Sequence, residues 1–417
     1  MDVTRLASLV ERLAAEECGS ASALHLTANE NVLSRLASRF VAGALYGRYH
    51  LGHANKREIA RYATTFSDLL LRSLSSVHEL EQQALQASRL LFGAAYSDFR
   101  PLSGVHAIIS TLSALTSPGE IVYCLRSTEA GHFATSQIIT RLGRQCRYLP
   151  WNNEASDLDL DRTKEAFAQV PPHAIYLDHS GSLFSLDVKG LRALVSENVL
   201  IIYDGSHPLG LIAGRMFDNP LEKGADVLQG STHKTFPGPQ KAVVLTNSTQ
   251  LWQRFGQTMD SFVSSQHSGD TIALYISMLE MEVFAQQYAA QVLKNSKALA
   301  RALSKKGFKV FTRNGELPTS HQVLLLGFEG RENLLSAQKL LDCGISVNSK
   351  TALGQSIIRI GVQESTRKGM KEAQMDGIAD LIARALIEGE ESHHIRREID
   401  DLLRHHQDIA FSFDNML

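Results

Sequence analysis

Apolar positions along this 417-residue chain switch between two periods. From about Val3 to Glu17, leucines and valines recur at helical spacing, which predicts an amphipathic opening helix of the kind that packs on a partner subunit. Helical patterns over Glu79–Leu91 and Leu160–Gln169 are interleaved with short β-branched runs at Ile121–Cys124, Ala174–Leu177, Val199–Tyr203 and Ala242–Leu245. These runs are apolar almost throughout and lack a polar face, as strands do when a mostly parallel sheet is covered on both sides. Such alternation predicts an α/β layered domain. A long helical pattern follows, roughly Ile272 to Ser304, and stops at Lys305-Lys306-Gly307, where basic residues and a glycine close a helix. Beyond it lie strand-like runs at Gln322–Phe328 and Ser356–Val362, with helices at about Glu332–Leu341 and Gly369–Glu388. That mixture predicts a smaller α+β unit. The predicted organisation is a helical arm over 1–25, a large domain over 26–285 and a small one over 286–417, because one core rarely grows to this length. The boundary falls inside or after the long helix, which could hinge the two.

Composition narrows the class without naming a chemistry. Hydrophobic residues make up 44% and charged residues 21%, and the formal net charge is −2, so neither nucleic acid nor an anionic membrane is an indicated partner. Cys18, Cys124, Cys146 and Cys343 are scattered, with no C-x-x-C pair to suggest zinc or a disulfide framework. The N-terminal stretch is acidic and amphipathic rather than a signal peptide, and no apolar run approaches the roughly 18 residues of a membrane span. A soluble cytoplasmic enzyme with reduced thiols is expected. The pairs His393-His394 and His405-His406 fall on charged terminal helices and read as solvated surface, and no P-loop or G-x-S-x-G elbow is present.

Four short elements carry candidate chemistry. Gly230-Ser-Thr-His-Lys234-Thr-Phe-Pro-Gly-Pro-Gln240 places a lysine in a polar turn between two strand-like runs. A free lysine titrates near ~10.4, so desolvation or imine formation is needed before it serves as a nucleophile at neutral pH. Val199–Tyr203 is a buried strand that ends in Asp204 and reaches His207 three residues on. Ligands of open α/β sheets bind at such carboxyl ends, and an aspartate there could hold a pyridinium nitrogen protonated. Ser103-Gly104 opens an apolar helix and could offer a hydroxyl and backbone N–H groups to a phosphate. Gly131-His132-Phe133 follows the strand at Ile121 and could stack an imidazole on a planar ring.

In this order the elements resemble the serine hydroxymethyltransferase family, within fold type I of the pyridoxal-phosphate enzymes. The likeness runs along nearly the whole chain. Leu26-Thr-Ala-Asn-Glu-Asn31 is similar to the family's S-E-N segment, and Gly131-His132 to its G-G-H. Asp204-Gly-Ser-His207-Pro-Leu-Gly-Leu resembles D-x-x-H-x-x-G-L, Thr232-His233-Lys234-Thr resembles T-H-K-T, and Arg359-Ile-Gly-Val with Thr366-Arg-Lys-Gly369 resembles R-x-G-x…T-R-x-G. The resemblance implies an aspartate-aminotransferase-like α/β fold with pyridoxal 5′-phosphate bound to Lys234 as a Schiff base. It implies Asp204 at the ring nitrogen, His132 stacked on the ring, and Ser103 and Gly104 at the phosphate. Ser180 and His207 would stand near the phenolic oxygen, Thr232 and His233 beside the lysine, and Arg359 on the substrate carboxylate, which an arginine fork suits.

The chain departs from that family in three places. The glutamate that follows a tyrosine by two residues is missing: aligning Tyr46 puts Arg48 there, and aligning Tyr49 puts Leu51. Ser264–Gly269 replaces a glycine-glycine-proline turn, and Val105 replaces a phosphate-binding serine. The combination of Leu26–Asn31, Ala42-Gly-Ala-Leu-Tyr46, His233-Lys-Thr-Phe-Pro-Gly-Pro-Gln-Lys241 and the ending Ser412-Phe-Asp-Asn415 is similar to the L-threonine transaldolase branch. That likeness favours Tyr46 as the active-site tyrosine. It implies an enzyme that cleaves threonine to acetaldehyde and adds the remaining glycyl carbanion to a second aldehyde. The product is a β-hydroxy-α-amino acid of the sort used in specialised biosynthesis. Serine or α-methylserine hydroxymethyl transfer, or plain threonine aldol cleavage, is the alternative. A homodimer is expected, with Tyr46–Tyr49 and Ser264–Gly269 reaching across its interface.

Overall fold

The computed structural model describes residues 3–50, 57–60, 63–66, 69–72, 74–414 and 416. Seven strands form its central sheet: β1 (Tyr96–Asp98), β2 (Ile121–Cys124), β3 (Gln145–Tyr148), β4 (Ala174–Leu177), β5 (Leu200–Asp204), β6 (Val227–Ser231) and β7 (Ala242–Thr246). Their order is β1-β7-β6-β5-β4-β2-β3. Strand β7 runs antiparallel to both its neighbours, and every other pair is parallel. The burial explains why the strand runs lack a polar face. Ile175 and Leu177 of β4 join one hydrophobic core, while Ala174 and Tyr176 point to a second core on the opposite face. The chain is therefore α/β, as the alternation predicted.

Helix α1 (Val3–Ala21) leads, and α2 (Gly104–Leu115) starts where Ser103 caps it, its Oγ accepting from the His106 amide at 3.1 Å. Helix α3 (Ser268–Lys305) is longer than its apolar pattern at both ends and stops before Gly307, whose φ of +94° suits glycine. The boundary expected near residue 285 lies within α3. After it, β8 (Lys309–Val310), β9 (Gln322–Phe328), β10 (Asn348–Ala352) and β11 (Gln355–Gly361) make an antiparallel sheet in the order β8-β9-β11-β10. Strand β10 was not expected, because Asn-Ser-Lys-Thr-Ala has no apolar run. The helix at Thr249–Phe262 also extends the predicted set, the expected terminal helix, Ser392–Arg404, carries His393 and His394 but ends before His405 and His406, and the helix expected from Gly369 starts at Glu372.

The N-terminal segment after α1 threads between the sheets. Leu24–His25 pairs with Ile345–Ser346, the Gly361 amide donates to the Leu26 carbonyl at 2.7 Å, and the Asn31 side chain donates to the Lys234 carbonyl at 2.6 Å. The C-terminal segment is held on α3 by a fully buried ion pair, Arg367 to Glu280 at 2.7 Å, with Glu280 also accepting from the Phe413 amide at 3.2 Å. Breaking one partner of such a pair strands a buried charge. Glu280→Gln is expected to destabilise the protein by about 3–5 kcal/mol. Lys306→Ala at the half-exposed Lys306–Asp380 pair should change stability by less than about 1 kcal/mol. Urea denaturation midpoints of the two variants, compared side by side, check the contrast.

Candidate active site

The carboxyl ends of β4, β5 and β6 open into a cavity of about 720 Å³, whose far wall is supplied by β10, β11 and Asn29. Lys234 enters it from the turn after β6. The turn is fixed without using the lysine side chain: the Thr232 hydroxyl donates to the Pro239 carbonyl at 2.7 Å, the Gly238 amide donates to the Thr232 carbonyl at 2.7 Å, and Thr235 bonds the His207 carbonyl. Burial pushes the Lys234 ammonium down to about 8, with Asp204 opposing the shift and Arg359 adding to it. Near that pH about half the side chain carries a free lone pair.

Asp204 ends β5 with its carboxylate facing the lysine across the cavity. Tyr176 donates to its Oδ2 at 3.0 Å and the Ser206 amide to its Oδ1 at 2.9 Å, while Gln229 donates to Tyr176 at 2.6 Å. His132 stands in the loop before the helix at Thr135–Arg141 and does not open that helix; its amide donates to Asp178 Oδ2 at 2.8 Å. Burial lowers the His132 imidazole, which Asp204 partly offsets, and raises the Asp178 carboxyl well above the usual carboxylate range. His207 lies parallel to His321 at 5.8 Å, its Nδ1 buried without a partner, and burial holds it well below the ordinary histidine range. His233, also on the wall, is lowered to about 4 by burial and by Lys234. The Ser180 hydroxyl lines the cavity and donates to the Ala130 carbonyl at 2.9 Å.

At one end, the start of α2 meets the ends of β5 and β6. A Cβ on Gly104 would stand 3.1 Å from that of Ser231, so glycine lets the helix start approach the strand. Ser206 accepts from the Ser231 amide at 2.8 Å, and the Ser231 hydroxyl is buried with no partner. A helix N-terminus with hydroxyls around it and an unsatisfied serine fits a phosphate. At the other end, Arg359 on β11 sits opposite Asn348 and donates to Asn29 at 3.3 Å and to Asn348 at 3.0 Å. Its Nε has no partner, and burial lowers the guanidinium to about 10. A buried, charged, incompletely bonded fork fits a carboxylate.

Most residues singled out from sequence converge here: Ser103, Gly104, His132, Ser180, Asp204, His207, His233, Lys234 and Arg359 line one cavity. Thr232 does not, since its hydroxyl holds the turn. Tyr46 stands outside its own chain's cavity, 54% exposed and beside Gly269. Leu51 and Asn415 lie outside the described residues. Ser206, Ser231, Asn29, Asn348 and Lys350 line the wall or brace it without having been singled out. Ser231 precedes Lys234 by one turn-length in the same polar motif, a signal that was available. The cavity as a whole suits pyridoxal 5′-phosphate: a phosphate cradle at one end, a carboxylate for the ring nitrogen, and a lysine between.

Residues 6–382 match the family model for serine hydroxymethyltransferase. Fluorothreonine transaldolase of Streptantibioticus cattleyicolor is 37% identical over 412 residues, an alignment that takes in 98% of this chain but only 64% of that longer protein. Serine hydroxymethyltransferase of Archaeoglobus fulgidus is 34% identical over 93% of this chain and 89% of its own, and that of Thermococcus kodakarensis is 32% identical over 94% and 93%. Among solved structures, L-threonine transaldolase from Pseudomonas fluorescens in its internal aldimine state superposes with a TM-score of 0.90 at 28% identity, covering 100% of this chain and 95% of that one.

Proposed function

The chain belongs to the serine hydroxymethyltransferase family, fold type I pyridoxal-phosphate enzymes acting on Cα–Cβ bonds, and from that premise we propose that it is an L-threonine transaldolase. The observation that carries this reading lies in the segment around Tyr46; the carboxylates on the wall of the chain's own cavity, among the described residues, are Asp178 and Asp204, both already hydrogen-bonded. The position where the family's folate chemistry places a glutamate holds Arg48 or Leu51. The lysine, aspartate, histidine and arginine that Cα–Cβ bond chemistry on this cofactor would use all line the cavity.

When bound, pyridoxal 5′-phosphate supplies an electron-withdrawing ring next to Cα. Lys234 would anchor it through Nζ and would yield that place to the amine of threonine. Asp204 would keep a proton on the ring nitrogen, with Tyr176 and the Ser206 amide fixing the carboxylate. His132 would cover the ring face. Ser103, Gly104, Ser206 and Ser231 hold the phosphate, while Ser180 and His207 stand at the phenolic oxygen. Arg359 takes the amino-acid carboxylate, oriented by Asn29 and Asn348. His233 closes the wall beside the lysine.

The enzyme works as a homodimer on this reading. Two features support that assembly: Leu6, Leu9, Val10 and Leu13 form an exposed stripe at helical spacing on α1, and Tyr46 and Tyr49 are exposed outside their own cavity. Tyr46 then serves the neighbouring site, with Ser264–Gly269 beside it.

Incubating the holoenzyme with threonine and benzaldehyde tests the reading. Acetaldehyde and a β-hydroxy-α-amino acid carrying the phenyl group should form at the same rate with or without tetrahydrofolate. Turnover of serine alone, and only with folate, would assign hydroxymethyl transfer instead. Glycine and acetaldehyde with no aldehyde adduct would assign plain aldol cleavage.

A further inference from the structure

Three cations line the described cavity wall, Lys234, Arg359 and Lys350, and the roles above leave Lys350 without a task. It lies on β10 two residues beyond Asn348, so strand alternation puts both side chains on one face. Asn348 pairs directly with Arg359 across the ladder, and Lys350 pairs with Ile357 two positions back. The amine therefore enters the cavity beside the guanidinium. The groups near it are Arg359 from β11, His132 from the loop after β2 and His207 from the loop after β5, and Lys234 and Asp204 line the same cavity. No carboxylate forms an ion pair with Lys350 among the described residues. Burial first, and then the nearby Arg359, lower its ammonium to about 8.

Covalent geometry then limits where the substrate's hydroxyl can be. With the carboxylate on Arg359, the β-oxygen is three bonds from the carboxylate carbon, within about 4 Å of it. That oxygen lies near the guanidinium, where the lysine also stands. Breaking Cα–Cβ requires a base for the hydroxyl proton. Asp204 and Asp178 are occupied by hydrogen bonds, burial lowers His132 and holds His207 well below the ordinary histidine range, and His179 and His233 are lowered to about 3 and about 4. A base of that strength is poorly matched to an alkoxide.

We propose that Lys350 is the proton carrier at Cβ. Its neutral amine takes the hydroxyl proton of threonine as the Cα–Cβ bond breaks; the bonding pair stays with Cα, and the O–H pair becomes the second bond of the acetaldehyde carbonyl. Its ammonium returns the proton to the alkoxide oxygen formed when the second aldehyde adds to Cα. No proton is gained or lost over the cycle, and no further reactant is needed. The second half rests on the transaldolase reading, whereas the first belongs to any cleavage of threonine at this bond.

The test compares wild-type, Lys350→Met and Lys350→Arg holoenzymes. Acetaldehyde release from threonine should fall about 10²-fold in kcat in both variants. KM for threonine and the cofactor's visible spectrum should stay as in the wild type, and the limb of the pH–rate profile near 8 should vanish. Independently of turnover, the rate at which an amine-directed reagent labels Lys350, followed by mass spectrometry across pH, should reach half its maximum near pH 8. A raised KM with unchanged kcat and pH profile would make Lys350 a second carboxylate anchor and overturn the proposal. Loss confined to aldehydes carrying an anionic group would overturn it in favour of acceptor recognition. If both variants matched the wild type, this proposal would fail while the transaldolase reading stood. A wild-type enzyme that released no acetaldehyde would remove both.

Discussion

Lys234→Ala is expected to leave a colourless protein in which threonine cleavage falls by roughly 10³-fold or more. The fold should survive, because the turn is held by the Thr232–Pro239 and Gly238–Thr232 bonds and by Asn31 on the lysine's own carbonyl, none of which uses the side chain. Burial lowers the Lys234 ammonium in the folded state, so its charge costs stability there, and the apo form of the variant should unfold at a urea concentration no lower than that of the wild type. The visible absorbance of purified protein reconstituted with pyridoxal 5′-phosphate gives the answer directly. Persistence of the wild-type band in the alanine variant would mean that another group anchors the cofactor, and the site would have to be reassigned.

The second large effect is expected at Asp204. Asn has the same shape: with its oxygen kept on the Ser206 amide at 2.9 Å, its NH2 replaces the oxygen that accepts from Tyr176 at 3.0 Å and donates to the phenol oxygen instead, so the local network has no steric reason to move. What it loses is the charge that keeps a proton on the ring nitrogen. A charge-assisted hydrogen bond in a dry site, together with the electron withdrawal it sustains, is worth about 4 kcal/mol in the transition state, or roughly 10³-fold in kcat for Asp204→Asn. Because the effect lies in the chemical step, KM for threonine should change little. Steady-state kinetics of the variant saturated with cofactor check this. A loss of less than about tenfold would remove Asp204 from its assigned place.

The part of this architecture legible in the sequence is the part that buried apolar residues write. Strand β4 is apolar at four successive positions because Ile175 and Leu177 enter one core while Ala174 and Tyr176 enter the other. Strand β10 escaped notice for the converse reason: Asn348 and Lys350 face a polar cavity, so its side chains follow the chemistry of a site and not the period of a core. The same contrast holds within the site. Lys234, Asp204, Ser103 and Arg359 were recognisable because each sits in a motif with local punctuation. Ser231 shares the polar motif of Lys234 and could be found with it, whereas the task of Asn29 depends on Arg359, 330 positions along the chain, which no local pattern encodes. Tyr46 shows a further limit: a side chain outside its own cavity gains a role only from an assembly.

The strap of N-terminal chain between the sheets sets an order of events during synthesis. Asn29 and Asn31 emerge early but have nothing to hold until Lys234 and then Arg359 have followed, the latter bond spanning 330 positions. Contacts this distant in sequence form late, after the loops between them have closed. A partly made chain that has released β6 already has its lysine and phosphate cradle, yet lacks the arginine and the asparagine brace that receive an amino acid. Competence to bind substrate is therefore acquired only once Arg359 has followed and segments 330 positions apart have met.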